Sequence, residues 1–134
     1  MTSHRKFRNE PQAVRAARKF AVQQLSDYAP EHLDTVELLV SELAGNCVRH
    51  TNSDFEVSIS GDRHRIRISV SDRGAGTPHV QHVDTDAVSG RGLALVEMLS
   101  SSWGVRGSRL PRGGKAVWFV LELDDQRARS RMVA

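Results

Sequence analysis

Three residues of a ten-residue stretch, SELAGNCVRH at 41–50, could take part in chemistry. Glu42 offers a carboxylate base, Asn46 an amide oxygen that can bind a metal ion, and Arg49 a cation. Helical spacing places all three on one side of a single helix, while the apolar positions form a separate stripe. This helix would therefore pack with one face and carry chemistry on another. The alternative is an ordinary solvated helix face, and the spacing alone does not decide between the two.

A second group of candidate residues begins at Asp72, where an alternating strand runs into the turn Asp72-Arg73-Gly74-Ala75-Gly76. Asp72 continues the apolar series Ile66, Ile68 and Val70, so its carboxylate is expected on the buried side, where an acid needs a partner. Gly74 and Gly76 permit positive φ and close approach of a planar ligand. The acid would suit the exocyclic amine of adenine. A plain turn is the competing interpretation.

The third segment is Gly90-Arg91-Gly92 at the start of a helix. Free backbone N–H groups and the positive end of the helix dipole attract phosphate oxygens there. The order of the three segments is more informative than any one of them. A metal-capable helix, an acid beside a glycine turn, and a phosphate-binding helix start together supply the parts of a nucleotide site.

The elements that must position these residues are readable from periodicity and turn residues. One helix runs from Pro11 to Ala29, and a second from Pro30 to about His50. A hairpin with one buried side follows over residues 55–70, then a third helix from Gly90 to about Ser101. Two further strands, at 103–106 and 115–123, complete the pattern, with Trp103 and Trp118 expected in the core. The fold class predicted is an α+β two-layer sandwich, with three helices on one face of a mixed, mostly antiparallel sheet.

The three segments resemble the N, G1 and G2 boxes of the GHKL superfamily of ATP-binding domains. The small branch of bacterial anti-sigma factor serine/threonine kinases is especially similar, with the patterns SELxxNxxxH, VxDxGxGxP and GRGLxLV. In this chain the matching stretches are residues 41–50, 70–78 and 90–96. The likeness extends from the first helix to the last strand and implies a GHKL-type ATP-binding fold.

The resemblance also implies roles for individual residues. Asn46 would bind Mg²⁺ through ATP, and Glu42 would orient or deprotonate the attacking hydroxyl. Asp72 would accept a hydrogen bond from adenine N6, with Gly74 and Gly76 in the adjoining turn. The phosphates would be held at the start of the third helix, by Gly90, Arg91, Gly92 and Leu93.

In that branch, the kinase phosphorylates a serine on a small anti-anti-sigma partner of the STAS-like type and also sequesters a sigma factor, often as a homodimer. The resemblance implies the same activity and partners for this chain. The alternative function is an ATP-gated or ATP-independent regulatory binding module without kinase activity. A detached histidine-kinase catalytic domain is a third interpretation, with less support because no phospho-acceptor segment precedes the domain.

The chain departs from the family pattern in two places. Ala116 stands where relatives commonly carry a threonine whose hydroxyl supports the adenine-binding acid through water, so a lower ATP affinity is expected. The polar loop at 79–89 offers only histidines as cations, which leaves Arg91 to hold the γ-phosphate. A metal site in this loop is a weaker interpretation than a solvated lid; its ligands would be His79, His82, Asp84 and Asp86.

Size and composition bound these interpretations. The 134 residues suit a single domain, expected at residues 1–125, followed by a basic, flexible tail at 126–134. One cysteine, Cys47, allows no internal disulfide and fits a reducing cytoplasm. The net charge of +3 is dispersed along the chain, which disfavours direct nucleic-acid binding. No apolar run approaches the length of a membrane span, so a cytoplasmic protein without membrane contact is expected.

Overall fold

The computed structural model describes residues 1–72, 92–107 and 114–123 of the chain. The helices are α1 (Gln12–Leu25), α2 (Leu33–His50), which follows a 3-10 turn at Pro30–His32, and α3, helical at residues 92–99. The strands are β1 (Thr2–Phe7), β2 (Phe55–Gly61), β3 (Arg65–Asp72), β4 (Ser102–Gly107) and β5 (Lys115–Glu122). No helix in these three ranges is both long enough and apolar enough to cross a membrane.

The strands form one sheet in the order β1-β2-β3-β5-β4. Each of the four pairings among the described strands is antiparallel, whereas a mixed, mostly antiparallel sheet was expected. One face of the sheet packs on the helices in a single core cluster, to which α1, α2 and Val96 of α3 all contribute. The predicted α+β sandwich with helices on one face is therefore confirmed.

Helix α2 carries the first candidate residues, and its position depends on an apolar stripe. The side chains of Val36, Val40, Leu43 and Cys47 recur at helical spacing and are all buried in the core. This stripe presses α2 against α1 and the sheet. Because this side of α2 is buried, Glu42 and Asn46 lie on a different side of the helix.

The carboxyl end of α2 is held by Asn9, a residue from the segment between β1 and α1. The Asn9 Nδ2 atom lies within hydrogen-bond distance of the backbone oxygens of Cys47 (3.1 Å), Thr51 (3.0 Å) and Ser53 (2.9 Å). Thr51 also donates to the Cys47 oxygen, through its N–H (3.1 Å) and its hydroxyl (2.8 Å), so Asn9 adds a further donor at this helix end. Asn9 therefore ties the chain before α1 to the end of α2.

Strand β1 was not predicted, and its sequence explains why. Five of its six residues are at least partly exposed, so the buried and exposed alternation that reveals a strand is missing. The strand exists because it pairs with β2 from Thr2 opposite Ser60 to Phe7 opposite Phe55. The rings of Phe7 and Phe55 stack with their centroids 5.4 Å apart, which anchors the end of β1 in the core.

The turn between β2 and β3 is organised by Asp62. Its Oδ1 atom accepts hydrogen bonds from the backbone N–H groups of His64 (2.7 Å) and Arg65 (3.1 Å). These two bonds favour the ionised carboxylate and hold the pKa of Asp62 below its ordinary value. The turn fixes the register of the hairpin, which determines where Asp72 emerges at the far end of β3.

The two tryptophans lie on opposite faces of the sheet. Trp103 packs against the core, as predicted, but the core prediction is wrong for Trp118. Trp118 lies on the face opposite the helices, where the Arg67 guanidinium carbon is 4.4 Å from the ring centroid. Its ring covers Gly104 of β4, since a Cβ built at that glycine would be 2.6 Å from the ring. Strand parity alone could not show that the described helices all cover the same face of the sheet.

Candidate functional site

The candidate residues of α2 lie on one side of the helix, as their spacing predicts. Glu42 and Asn46 are both half-buried, one helical turn apart, and Arg49 is exposed. The Arg49 Nη2 atom donates a hydrogen bond of 3.0 Å to Oδ1 of Asn46. A carboxylate, an amide and a guanidinium are therefore gathered within two turns of one helix.

The start of α3 lies directly against this side of α2. Gly92 is buried, and a Cβ built on it would lie 3.0 Å from Nδ2 of Asn46. A side chain at position 92 would have to displace the Asn46 amide, so glycine lets the two helices come this close while the amide keeps its position. The structure thus brings together Asn46 and Gly92, which the sequence placed in separate motifs. Leu93, the next predicted residue, is half-buried in the same first turn.

Asp72 is buried at the carboxyl end of β3, with only 7% of its surface exposed. It lies opposite Phe55 of β2 on one side and opposite Lys115 of β5 on the other. The prediction from strand parity, that this acid faces the core side, is confirmed. A lysine in the facing position of the neighbouring strand is a suitable partner for such an acid.

Sequence reasoning did not assign a role to Lys115. The pattern of residues 115–123 predicted a strand, but not which strand lies beside it or in which register. The sequence feature that could have drawn attention to Lys115 is its position directly after the glycine pair at 113–114. Gly114 has a φ of 104°, a backbone conformation that favours glycine.

The pKa of Cys47, on α2, is affected by charged groups at the end of the sheet. Burial and, to a lesser extent, the negative charge of Asp72 raise the pKa of its thiol from 9.0 to about 12, while the positive charge of Lys115 acts in the opposite direction. The pKa of this thiol therefore depends on the charges of Asp72, at the end of β3, and of Lys115, at the start of β5. The thiol remains protonated and unreactive at neutral pH, as expected for a small buried side chain.

The register of β5 changes what the substitution at Ala116 implies. Ala116 lies opposite Ser71, so it occupies the other face of the sheet from Asp72 and Lys115. A hydroxyl at this position would belong to that opposite face. The register therefore removes the argument that Ala116 weakens an adenine site at Asp72.

Several predicted site residues lie outside the described residues: Gly74, Gly76, Gly90, Arg91 and the loop residues His79, His82, Asp84 and Asp86. The tail at 126–134 also lies outside them. Within the ranges that the structure describes, no group of three or more His, Cys, Asp or Glu side chains could hold a metal ion. A cavity of about 100 Å³ is present at the ends of β1, β2 and β3; it is lined by Lys6, Asp54, Phe55, Glu56, Ser71 and Asp72. It is several times smaller than typical ligand pockets.

The sequence of this chain matches a known protein family. The family described as histidine kinase-like ATPase domain matches the chain over residues 7–121. The matched range includes α2, Asp72 and α3. No curated protein matches the chain.

Proposed function

The chain belongs to the family of histidine kinase-like ATPase domains, and on that premise we propose that it is an ATP-dependent serine/threonine protein kinase of the anti-sigma factor type. Domains of this superfamily bind ATP, usually with Mg²⁺. The single observation that carries the proposal is the contact between Asn46 and Gly92, because it places a metal-capable amide against the start of a helix that can hold phosphates.

The residues present fit a magnesium–nucleotide complex. The oxygen of the Asn46 amide is a hard ligand of the kind that Mg²⁺ accepts, and this ion usually takes only one or two ligands from the protein. Because Gly92 has no side chain, phosphate oxygens can approach the backbone N–H groups at the start of α3. At the other end of the site, Asp72 is buried beside apolar residues, where a carboxylate can accept a hydrogen bond from adenine N6.

Each residue then has a defined task in phosphoryl transfer. Bound Mg²⁺ would supply charge neutralisation for the triphosphate. Glu42, one turn before Asn46, accepts the proton of the serine hydroxyl as the oxygen of that hydroxyl bonds to the γ-phosphorus. The bond between the γ-phosphorus and the bridging oxygen breaks, and ADP carries away the electron pair. Asp72 and the start of α3 position the nucleotide and take no proton.

The proposed acceptor is a serine on a small anti-anti-sigma protein of the STAS-like type, and the proposed second partner is a sigma factor held in the cytoplasm. The support for these partners is the SELxxNxxxH, VxDxGxGxP and GRGLxLV patterns. A homodimer is part of the same proposal. Neither nucleic acid nor membrane is proposed as a direct partner.

The test uses the purified chain, labelled ATP and candidate partner domains. We expect Glu42→Ala to keep nucleotide binding and lose phosphotransfer, and Asn46→Ala to lose Mg-dependent nucleotide binding. Glu37→Ala, which removes an exposed carboxylate from the same helix, is the matched control. Wild-type phosphotransfer by Glu42→Ala would show that the base is assigned wrongly. A tight complex with a partner but no transfer by wild type would favour the binding module.

A further inference from the structure

The Arg49 side chain folds back along α2 onto the residues that precede it. Its Nη2 atom is 3.0 Å from Oδ1 of Asn46, and its Nη1 atom would be 2.9 Å from a Cβ built at Gly45. Glycine at position 45 therefore leaves the space that the guanidinium occupies. The amide of Asn46 is enclosed on two sides, with its oxygen toward Arg49 and its nitrogen toward Gly92.

This arrangement has a consequence for the proposed metal ligand. Oδ1 of Asn46 is the atom that would bind Mg²⁺. This oxygen already accepts a hydrogen bond from the Arg49 guanidinium. A divalent cation and a guanidinium on one oxygen repel each other strongly at such short range. The nitrogen end of the amide faces Gly92, so it offers no second oxygen to the metal.

We propose that Arg49 is a positioning residue that competes with Mg²⁺ for Oδ1 of Asn46 and so limits how strongly nucleotide binding depends on the metal. The proposal rests on the proposed function, since it assumes a nucleotide site at Asn46. In the nucleotide-free chain, the guanidinium orients the Asn46 amide, whose nitrogen lies against Gly92. Because the side chain of Arg49 is exposed and long, it can leave the oxygen without moving α2.

Gly45 makes the contact testable without removing the charge. The three side-chain atoms nearest to a Cβ built at position 45, at 2.9 to 3.5 Å, all belong to the Arg49 guanidinium. Gly45→Ala should therefore displace the guanidinium from Asn46 while keeping it on the helix. The substitution also improves helix propensity, so the variant is expected to fold. Arg49→Met removes both the hydrogen bond and the charge.

The experiment measures the dissociation constant of ADP by calorimetry, in MgCl₂ and in EDTA, and takes the ratio of the EDTA value to the MgCl₂ value. We expect both Gly45→Ala and Arg49→Met to raise this ratio about fivefold, the effect of one hydrogen bond. Two controls should stay near the wild-type ratio. Arg65→Met removes an arginine at the opposite end of β3 from Asp72, and Gly107→Ala adds a Cβ that meets no atom of the described residues within 4 Å.

The outcomes separate this inference from the function on which it rests. If wild type binds ADP in neither buffer, the proposed function and the inference both fail. If wild type binds ADP but neither variant changes the ratio, only the inference fails. A rise in Arg49→Met without a rise in Gly45→Ala also overturns the inference, because the charge would then act on the phosphates rather than on Asn46.

Discussion

Asn46 of α2 and Gly92 of α3 approach so closely that a single methyl group at position 92 would lie 3.0 Å from the Asn46 amide nitrogen. This contact joins two motifs that are separated in sequence by the whole β2–β3 hairpin. Because the amide and the helix start are held together, a metal ion bound at one would lie beside phosphates bound at the other.

Gly92→Ala should weaken MgADP binding by about tenfold, because the added methyl group forces apart the amide and the helix start. Calorimetry with ADP and MgCl₂ measures the loss, and thermal unfolding checks that the fold is retained. Gly107→Ala is the control and should bind like wild type, since among the residues that the structure describes an added Cβ there meets nothing within 4 Å. Unchanged MgADP affinity in Gly92→Ala would place the phosphates away from the start of α3.

Asp72→Asn should reduce ADP affinity about tenfold or more, because the acceptor proposed for adenine N6 loses its charge. The preference for ADP over GDP should fall as well, since the new amide can donate to guanine O6. The thiol of Cys47 gives an independent readout: the charge of Asp72 raises the pKa of Cys47, so the substitution should lower that pKa. Asp27→Asn, at an exposed position, is the control. A fall in the Cys47 pKa without any change in nucleotide affinity would remove Asp72 from the adenine site.

Asn9→Ala should lower the free energy of unfolding by about 1–3 kcal/mol, because the backbone oxygens of Cys47, Thr51 and Ser53 lose their contacts with the Asn9 amide. Urea unfolding measures the change, and an unaltered dependence on urea concentration would show that the native fold is kept. Asn52→Ala, which removes an exposed amide from the same turn region, should have little effect. Equal stability of the two variants would mean that the end of α2 needs no support from Asn9.

The buried thiol of Cys47 predicts a loss of stability at alkaline pH. Its pKa is raised from 9.0 to about 12, so the folded chain holds this proton more tightly than the unfolded chain does. The resulting stabilisation is complete below pH 9 and is lost as the pH rises toward 12. Relative to Cys47→Ala, wild type should lose about 1.4 kcal/mol per pH unit in this range. Parallel curves for wild type and Cys47→Ala between pH 8 and pH 11 would contradict the raised pKa.

Local pattern was sufficient to predict much of the site. Helical spacing placed Glu42 and Asn46 on one side of α2, and strand parity placed Asp72 on the buried side of β3. The bounds of α2, β2 and β3 also follow closely from periodicity and turn residues. These predictions succeed because the direction of a side chain within one helix or strand depends only on the period of that element.

Other features required the tertiary structure. Periodicity could not show that Lys115 lies opposite Asp72, because the pairing and register of β3 and β5 depend on contacts between distant segments. The same limit applies to Trp118, because its place outside the core depends on which face of the sheet the helices cover. It also applies to β1, whose exposed residues show no alternation between apolar and polar side chains.

The amino-acid sequence by itself determined the helices, most of the strands and the faces on which Glu42, Asn46 and Asp72 lie. Only the tertiary structure decided that Gly92 meets Asn46 and that Asn9 supports the end of α2. The physical reason is that the direction of a side chain is set by local backbone geometry. Contacts between elements are set instead by how the whole core packs, which no local period encodes.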